Sequence, residues 1–346
     1  MRGVVFHGPY DVRVEEVADP AIKDPRDAIV RITRTSICGS DLHLYHGTVP
    51  AEPGVVVGHE CVGVIEEVGR DVRRFRKGDR VIVPGVVGCG DCEPCRRGYM
   101  VGCMNWLNKV LGFTKELPGG QAQAIPVPHA DANLYPTPPE LSDEQVLFLT
   151  DILPTGYYAA QNANIKPGQT VALIGCGPVG LFALQSAQLF GAAQVLAIDK
   201  VGYRLERAKQ YGAIPIDASK EDVRTRVFEA TDGQGAHAVI EAVGAVETVH
   251  LAFELARVGG IVSVVGVLVQ NDFSFPMGTA LMKDLTFRIG LVNVAGFIPT
   301  LLPLIRSGRL DPSALISHRM PLAQGAEAYK LFDGRQDGCL KVALQP

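Results

Sequence analysis

The stretch Thr170-Val-Ala-Leu-Ile-Gly-Cys-Gly-Pro-Val-Gly180 runs into the apolar segment from Leu181 to Phe190, so a strand meets a helix through a G-x-G-x-x-G turn. In that context the pattern predicts a dinucleotide site. Gly175 permits the tight turn, Gly177 lets the backbone approach a pyrophosphate, and Gly180 lets the helix pack closely on the strand. Pro178, followed by Val179, opens the helix where no amide hydrogen is needed. The first helical amides then aim a partial positive charge at the phosphates. The next apolar strand, Gln194-Val-Leu-Ala-Ile, ends in Asp199, roughly 20 residues past the glycines, where a carboxylate accepts the adenosine-ribose hydroxyls and repels an added 2′-phosphate. NAD is therefore expected over NADP, with Lys200 and Arg204 as the cations able to soften that preference. The alternative for Asp199 is a plain strand-end cap.

Outward from this turn, apolar strands near Val171, Val195, Ile214, Ala238, Ile261 and Phe287 alternate with helical patterns. That alternation predicts an α/β fold, a doubly wound Rossmann sheet of six parallel strands. Ala242 and Val243, in the stretch Glu241 to Gly244 after the fourth strand, and Gly266 and Val267 after the fifth fall at carboxyl ends of strands, where such sheets bind ligands. Residues 1–152 read instead as mostly β, with β-branched runs at 28–35, 62–68 and 80–83. In the tail, 293–346, Pro299, Pro303 and Pro312 are expected to interrupt short helices. Some fifty residues are too few to fold alone, so the tail should return to the first domain and leave 153–292 as the nucleotide-binding domain.

A chain of 346 residues with 47% hydrophobic and 20% charged residues is a well-buried globular protein of two domains. Its net charge of −4 and lack of a dense basic run argue against a nucleic-acid partner. The charge-free run 167–198 is long enough to cross a bilayer, but Pro178, the three glycines and several glutamines divide it into strand, turn, helix and strand, so no membrane association is expected. The first eleven residues lack an apolar signal core, and a cytoplasmic location is expected.

Four of the eight cysteines, Cys89, Cys92, Cys95 and Cys103, form a C-x2-C-x2-C-x7-C cluster. One tetrahedral zinc in a lobe spanning about 88–105 accounts for them best; two disulfides or an iron-sulfur centre are the alternatives. Four thiolates leave no open position, so chemistry must lie elsewhere. Two earlier segments carry other metal-binding groups, Cys38-Gly-Ser-Asp-Leu-His43 and Gly58-His-Glu60.

At this point the sequence resembles the zinc-dependent alcohol dehydrogenases of the medium-chain dehydrogenase/reductase family. Gly58-His-Glu-Cys-Val-Gly63, followed by Gly69, Val72 and Lys77-Gly-Asp-Arg-Val81, matches the family's zinc signature, and the similarity covers essentially the whole chain. The resemblance implies a GroES-like catalytic domain and two zincs per chain, one structural and one catalytic. It implies that Cys38 and His59 bind the catalytic zinc. By the same resemblance Asp151, in Thr150 to Gly156, would be the third ligand, as in branches similar to bacterial secondary-alcohol and formaldehyde dehydrogenases. Glu60 would reach the remaining position transiently, and Asp41 would hold His59 in its tautomer. Ser40 would be the relay hydroxyl, passing a proton by way of the nicotinamide ribose to His43. Lys341 corresponds to a basic residue near the cofactor phosphates or Glu60, with solvated surface as the alternative. Leu291 and Val292 would lie near the nicotinamide. Ser40, Trp106 in the 105–120 segment, and Val294 would line an apolar substrate pocket, although Trp106 reads equally as core packing. Cys61, Cys176 and Cys339 read as packing residues.

A zinc with three protein ligands and one open position lowers the pKa of a hydroxyl it binds, and a nicotinamide accepts hydride from the carbon. The expected function is hydride transfer between a primary or secondary alcohol and NAD, giving an aldehyde or ketone. The segment around Asp151 resembles the formaldehyde branch, whose insertion after the cysteine lobe this chain has little room for, so a broader substrate is expected. A polyol or threonine dehydrogenase shares this chemistry, and a non-catalytic NAD- or zinc-binding sensor is the alternative of another class. The resemblance also implies a homo-oligomer, dimer or tetramer, joined through the edges of coenzyme-domain sheets.

Overall fold

The structure, a computed structural model, describes residues 1–106, 108–269 and 272–346; Leu107, part of the stretch expected to line the pocket, lies outside the described residues. The chain divides into two compact units, one of residues 1–154 with 293–346 and the other of residues 155–292.

The first unit is built on β1 (Ala28–Ser36), a short helix α1 (Asp41–Tyr45), β2 (Glu60–Val68) and β3 (Arg80–Val83). Chain reversal in the first unit pairs β1 and β2 antiparallel, with Val30 opposite Ile65 and Ser36 opposite Glu60. Their inward residues, Val30, Ile32, Ile65, Val81 and Val83, form one hydrophobic core with Ile125 and Leu134.

Helix α2 (Ile152–Asn162) leads into the second unit, where β4 (Thr170–Ile174), α3 (Pro178–Leu189), β5 (Gln194–Asp199), α4 (Gly202–Gln210) and β6 (Ile214–Asp217) alternate. Then follow β7 (Ala236–Glu241), α5 (Val246–Leu255), β8 (Ala256–Val264) and β9 (Thr286–Ile289). The six strands run parallel in the order β6-β5-β4-β7-β8-β9. All five residues of β4 are buried, as a central strand covered on both faces requires. The strand order reverses between β4 and β7, which makes the carboxyl end of β4 the crevice of the sheet.

The tail returns to the first unit through α6 (Val294–Arg306) and β10 (Val342–Gln345). Here the expectation of short, interrupted helices is corrected, because α6 runs unbroken through both Pro299 and Pro303. The two prolines are four residues apart and both are exposed, while Val294, Ile298, Leu301 and Ile305 are buried. The missing amide hydrogens thus fall on one wet face, where water can serve the freed carbonyls, and the buried stripe holds the helix together. Strand β10 pairs antiparallel with β1, placing Ala343 opposite Ser36. Ser36 therefore sits between Glu60 on one side and the entry to β10 on the other.

No helix among the described residues is long and apolar enough to cross a membrane. In the second unit the tightest constraint is Gly180, where a Cβ would come within 1.8 Å of the Gly175 carbonyl oxygen. We expect Gly180→Ala to cost about 3 kcal/mol by forcing helix and strand apart, read as a fall of several degrees in the thermal unfolding midpoint.

Candidate metal and cofactor sites

Among the described residues, three side-chain groups in the first unit bring possible donor atoms within reach of one ion; Asp24, Asp27 and His129 are engaged by Arg26 and by backbone partners, and the other two have the chemistry of zinc sites. The sulfurs of Cys89, Cys92, Cys95 and Cys103 lie within 4.8 Å of one another, and none of the chain's cysteines is in a disulfide. Nitrogen donors surround the thiols: Asp91 and Cys92 N–H on Cys89 at 3.4 Å, Cys89 N–H on Cys103 at 3.5 Å, Met104 N–H on Cys92 at 3.5 Å, and Asn105 Nδ2 on Cys89 at 3.2 Å. Such donors stabilise thiolate; those from Met104 and Cys95 draw Cys92 down to about 6, while burial pushes Cys95 up to about 12. The donor set suits a structural zinc.

The second cluster gathers three residues far apart in sequence. Cys38 follows β1, His59 directly precedes β2, and Asp151 ends the single-turn helix Phe148–Thr150. The β1–β2 register brings Cys38 and His59 together, and the Gly85 amide holds Thr150 O at 2.8 Å, fixing the backbone just before Asp151. Asp151 Oδ2 lies 3.2 Å from Cys38 Sγ and 3.3 Å from His59 Nε2. An ion about 2.0–2.3 Å from each ligand in tetrahedral array would set such atoms roughly 3.3–3.5 Å apart, so the spacing fits zinc. Burial, then the charges of Asp151 and Glu60, push the Cys38 thiol up to about 11. Burial opposes charge on His59, yet Asp41 and Asp151 hold its pKa well above the ordinary value. Both protons are ones a metal must displace.

Around this set, His59 Nδ1 lies 3.1 Å from Asp41 Oδ1, and Ser40 Oγ lies 3.0 Å from His59 Nε2. His43 is half buried, with Nδ1 3.3 Å from Thr48 Oγ1; burial, then His46, lowers its pKa. Its only contact with Ser40 among those described is a backbone one, His43 N–H to Ser40 O at 3.1 Å. Glu60 is fully buried, and its Oε2 accepts from Lys341 Nζ at 2.6 Å and from the Ser36 hydroxyl. Its Oε1 is buried with no protein partner among the described residues. Burial raises the Glu60 pKa and Lys341 opposes the shift.

For two residues the structure takes one of the places offered. Lys341, expected near the cofactor phosphates or Glu60, has its ammonium wholly buried in the first unit, on Glu60 and on Ile37 O at 2.7 Å, between the rings of Phe148 and Phe332. The β10–β1 register carries it there rather than to a phosphate, and zero exposure rules out the solvated surface. Trp106 packs edge-on against His129 and beside the cysteine lobe; the ring next to His59 is that of Phe113, with centroids 5.8 Å apart. Val294 is buried in α6.

In the second unit, Gly175 has φ +93°, and the turn carries Gly177, Pro178 and Val179 into α3. A Cβ on Gly177 would meet nothing nearer than Arg204 Nη1 at 3.8 Å, which leaves a cradle beside the helix start, as a pyrophosphate requires. Asp199 is used by the backbone: Oδ1 accepts from Lys200 and Val201 N–H at 2.7 and 2.9 Å, and Oδ2 from Cys176 N–H at 2.7 Å. At the other strand ends, Val243, Val267 and Leu291 are about half exposed at 50%, 47% and 55%, while Val292 is buried. Ala242 N–H is bound to Ile174 O at 2.9 Å, and Gly266 lies so close to Gly244 that a Cβ would meet its nitrogen at 2.1 Å. Glu241 holds this region: its Oε1 accepts from Val243 and Gly244 N–H and from the Thr248 hydroxyl, at 2.8 to 2.9 Å. The sequence showed it only as the acid ending an apolar strand. Ser36 and Phe113 were also missed; Ser36 carries no signal beyond its place two residues before Cys38.

Fold and donor sets together define a zinc-binding, dinucleotide-binding oxidoreductase. Comparison with known proteins agrees. The alcohol dehydrogenase GroES-like domain matches residues 24–139, and the zinc-binding dehydrogenase family matches residues 178–307. An alcohol dehydrogenase of Cupriavidus necator is 37% identical over all of this chain and 99% of its own length. The solved alcohol dehydrogenase TADH from Thermus sp. ATN1 is 45% identical, with a TM-score of 0.93 over 100% of this chain and 99% of its own. A Sinorhizobium meliloti protein described as a zinc-binding dehydrogenase and solved with NADP is 28% identical, with a TM-score of 0.87 over 100% and 99%. This chain belongs to the zinc-dependent alcohol dehydrogenases of the medium-chain dehydrogenase/reductase family.

Replacing Asp151 by Ala removes one of three ligands from the second cluster and none from the first. We expect the zinc content by mass spectrometry to fall from two per chain to one, with the cysteine-bound ion retained.

Proposed function

We propose that this protein oxidises primary and secondary alcohols to aldehydes and ketones, and runs the reverse, with NAD preferred over NADP. The observation that carries the reading is the Cys38, His59 and Asp151 set: three ligands rather than four, in a family of zinc dehydrogenases. Bound there, zinc would polarise a hydroxyl oxygen while a nicotinamide took up hydride from its carbon. The alcohol loses two electrons and a proton as hydride, and its hydroxyl proton must leave separately. Ser40, 3.0 Å from His59 Nε2, would take that proton and hand its own on by way of the nicotinamide ribose to the partly exposed His43, which returns it to water; burial and His46 lower the pKa of His43, so it releases the proton readily near neutral pH. Lys341 and Ser36 hold Glu60 by one oxygen, and Phe113 gives the set an apolar wall.

Asp199 favours NAD by its charge, whereas Lys200 and Arg204 temper the preference. Eight cysteines, none of them in a disulfide, support the reading of a reducing, cytoplasmic setting. The outer edge of β9 is unpaired by any described strand, and Arg288 and Ile289 on it are exposed; we take a second copy of the chain to pair there. Light scattering should give a multiple of one chain's mass, and a monomer would refute the pairing.

The defining assay follows NADH at fixed NAD, then NADPH at fixed NADP, over simple alcohols, sorbitol and threonine. Turnover of simple alcohols that a chelator abolishes and zinc restores is the expected result. Turnover confined to sorbitol or threonine would move the protein to those dehydrogenases, and none across the panel would favour a sensor.

A further inference from the structure

We infer that Gln121 and Tyr329, which take no part in the chemistry above, are positioning residues that hold the metal ligand His59 through Asp41; the inference rests on the catalytic-zinc reading. Gln121 is fully buried and Tyr329 is 1% exposed. The Gln121 backbone is pinned from both sides, its N–H on Val57 O at 3.0 Å and its carbonyl accepting from Val4 N–H at 2.8 Å. Its side chain is also committed. Nε2 donates to Ser36 O at 3.1 Å and to Asp41 Oδ2 at 3.0 Å, while Oε1 accepts from the Tyr329 hydroxyl at 3.0 Å. These partners leave the amide one orientation, nitrogen toward Asp41 and oxygen toward Tyr329. Tyr329 remains a donor, because burial and then the charge of Asp41 hold its pKa well above the ordinary value.

The consequence falls on Asp41. Its Oδ2 takes the Cys38 N–H at 2.9 Å as well as the Gln121 amide, so that oxygen has two donors and Oδ1 is left facing His59 Nδ1 at 3.1 Å. The imidazole thereby keeps Nδ1 within ion-pair distance of Asp41 Oδ1, the two atoms not being aligned for a hydrogen bond, and Nε2 toward Cys38 and Asp151. The same amide shapes the backbone beside His59. Gly58 has φ +95°, and a Cβ there would lie 2.4 Å from Gln121 Cγ, so the residue before the ligand must be glycine for Gln121 to reach its partners. A buried amide and phenol need full pairing to be tolerated, and apolar side chains of the same volume would fill the space without that demand. What the polar pair adds is direction.

The test follows zinc release from the holoprotein into a chelating indicator, for wild type, Gln121→Met and Tyr329→Phe. Wild type should release two zincs in separable phases. We expect Gln121→Met to speed one phase about tenfold, the scale on which groups behind metal ligands act, and Tyr329→Phe to speed the same phase by less, while the phase from the cysteine lobe is unchanged. Tyr329→Phe deletes one oxygen only, so it keeps the test open if Gln121→Met folds poorly. Unchanged release in both variants, or equal acceleration of both phases, would overturn the inference. A wild type that carries only the cysteine-bound zinc would instead overturn the catalytic-zinc reading beneath it.

Discussion

An ammonium and a carboxylate with no solvent exposure, Lys341 and Glu60, meet at 2.6 Å beside the proposed catalytic ligands. Burying two charges costs several kcal/mol each, and the pair persists only where further hydrogen bonds saturate it. Ile37 O and the Ser36 hydroxyl supply those bonds. The topology makes them available: Ser36 is opposite Glu60 in one pairing and opposite Ala343 in the other. The first unit must therefore recover its final strand from the end of the chain before Glu60 can be neutralised, which ties the returning tail to the chemistry.

Charge counting shows why this matters. Cys38 as thiolate and Asp151 as carboxylate bring two negative charges to the proposed zinc, enough to balance a dication. Glu60 would add a third, and Lys341 cancels it. The carboxylate is thus held near the metal ligands by one oxygen without overloading them, while its buried Oε1 stays unpaired among the described residues. The cysteine lobe follows a different logic, with four sulfurs and a ring of N–H donors. One site is suited to hold an ion closed, the other would leave it a coordination position.

What the sequence revealed divides along this line. The six parallel strands and their glycine turn were legible because the information is local: a buried strand, a turn that tolerates no side chain at Gly180, and a helix start follow one another in ten residues. Asp151 had no such grammar, since a lone acid before an apolar helix resembles any cap, and only similarity to a family singled it out. Lys341 was legible only through the resemblance, as a base near a phosphate or Glu60, and strand register, bringing Glu60 from some 280 residues away, decides between them. Trp106 drew attention by size, yet Phe113 is the ring beside His59. The two prolines of α6 misled because proline is read as a breaker, whereas a spacing of four puts both defects on one exposed face.

The same economy of hydrogen bonds bears on cofactor choice. The three backbone donors on Asp199 occupy both lone-pair directions of Oδ1 and one of Oδ2. One acceptor position remains, so the carboxylate can take one ribose hydroxyl well but not a symmetrical pair. The preference for NAD proposed above would then arise mainly from repulsion of a 2′-phosphate, a charge effect that nearby cations can screen. Arg204, whose guanidinium reaches within 3.8 Å of the position a Gly177 Cβ would take and whose Nε has no protein partner among the described residues, is placed to do so. On that proposal, discrimination would be a contest between one carboxylate already engaged with its own backbone and the guanidinium beside the glycine turn.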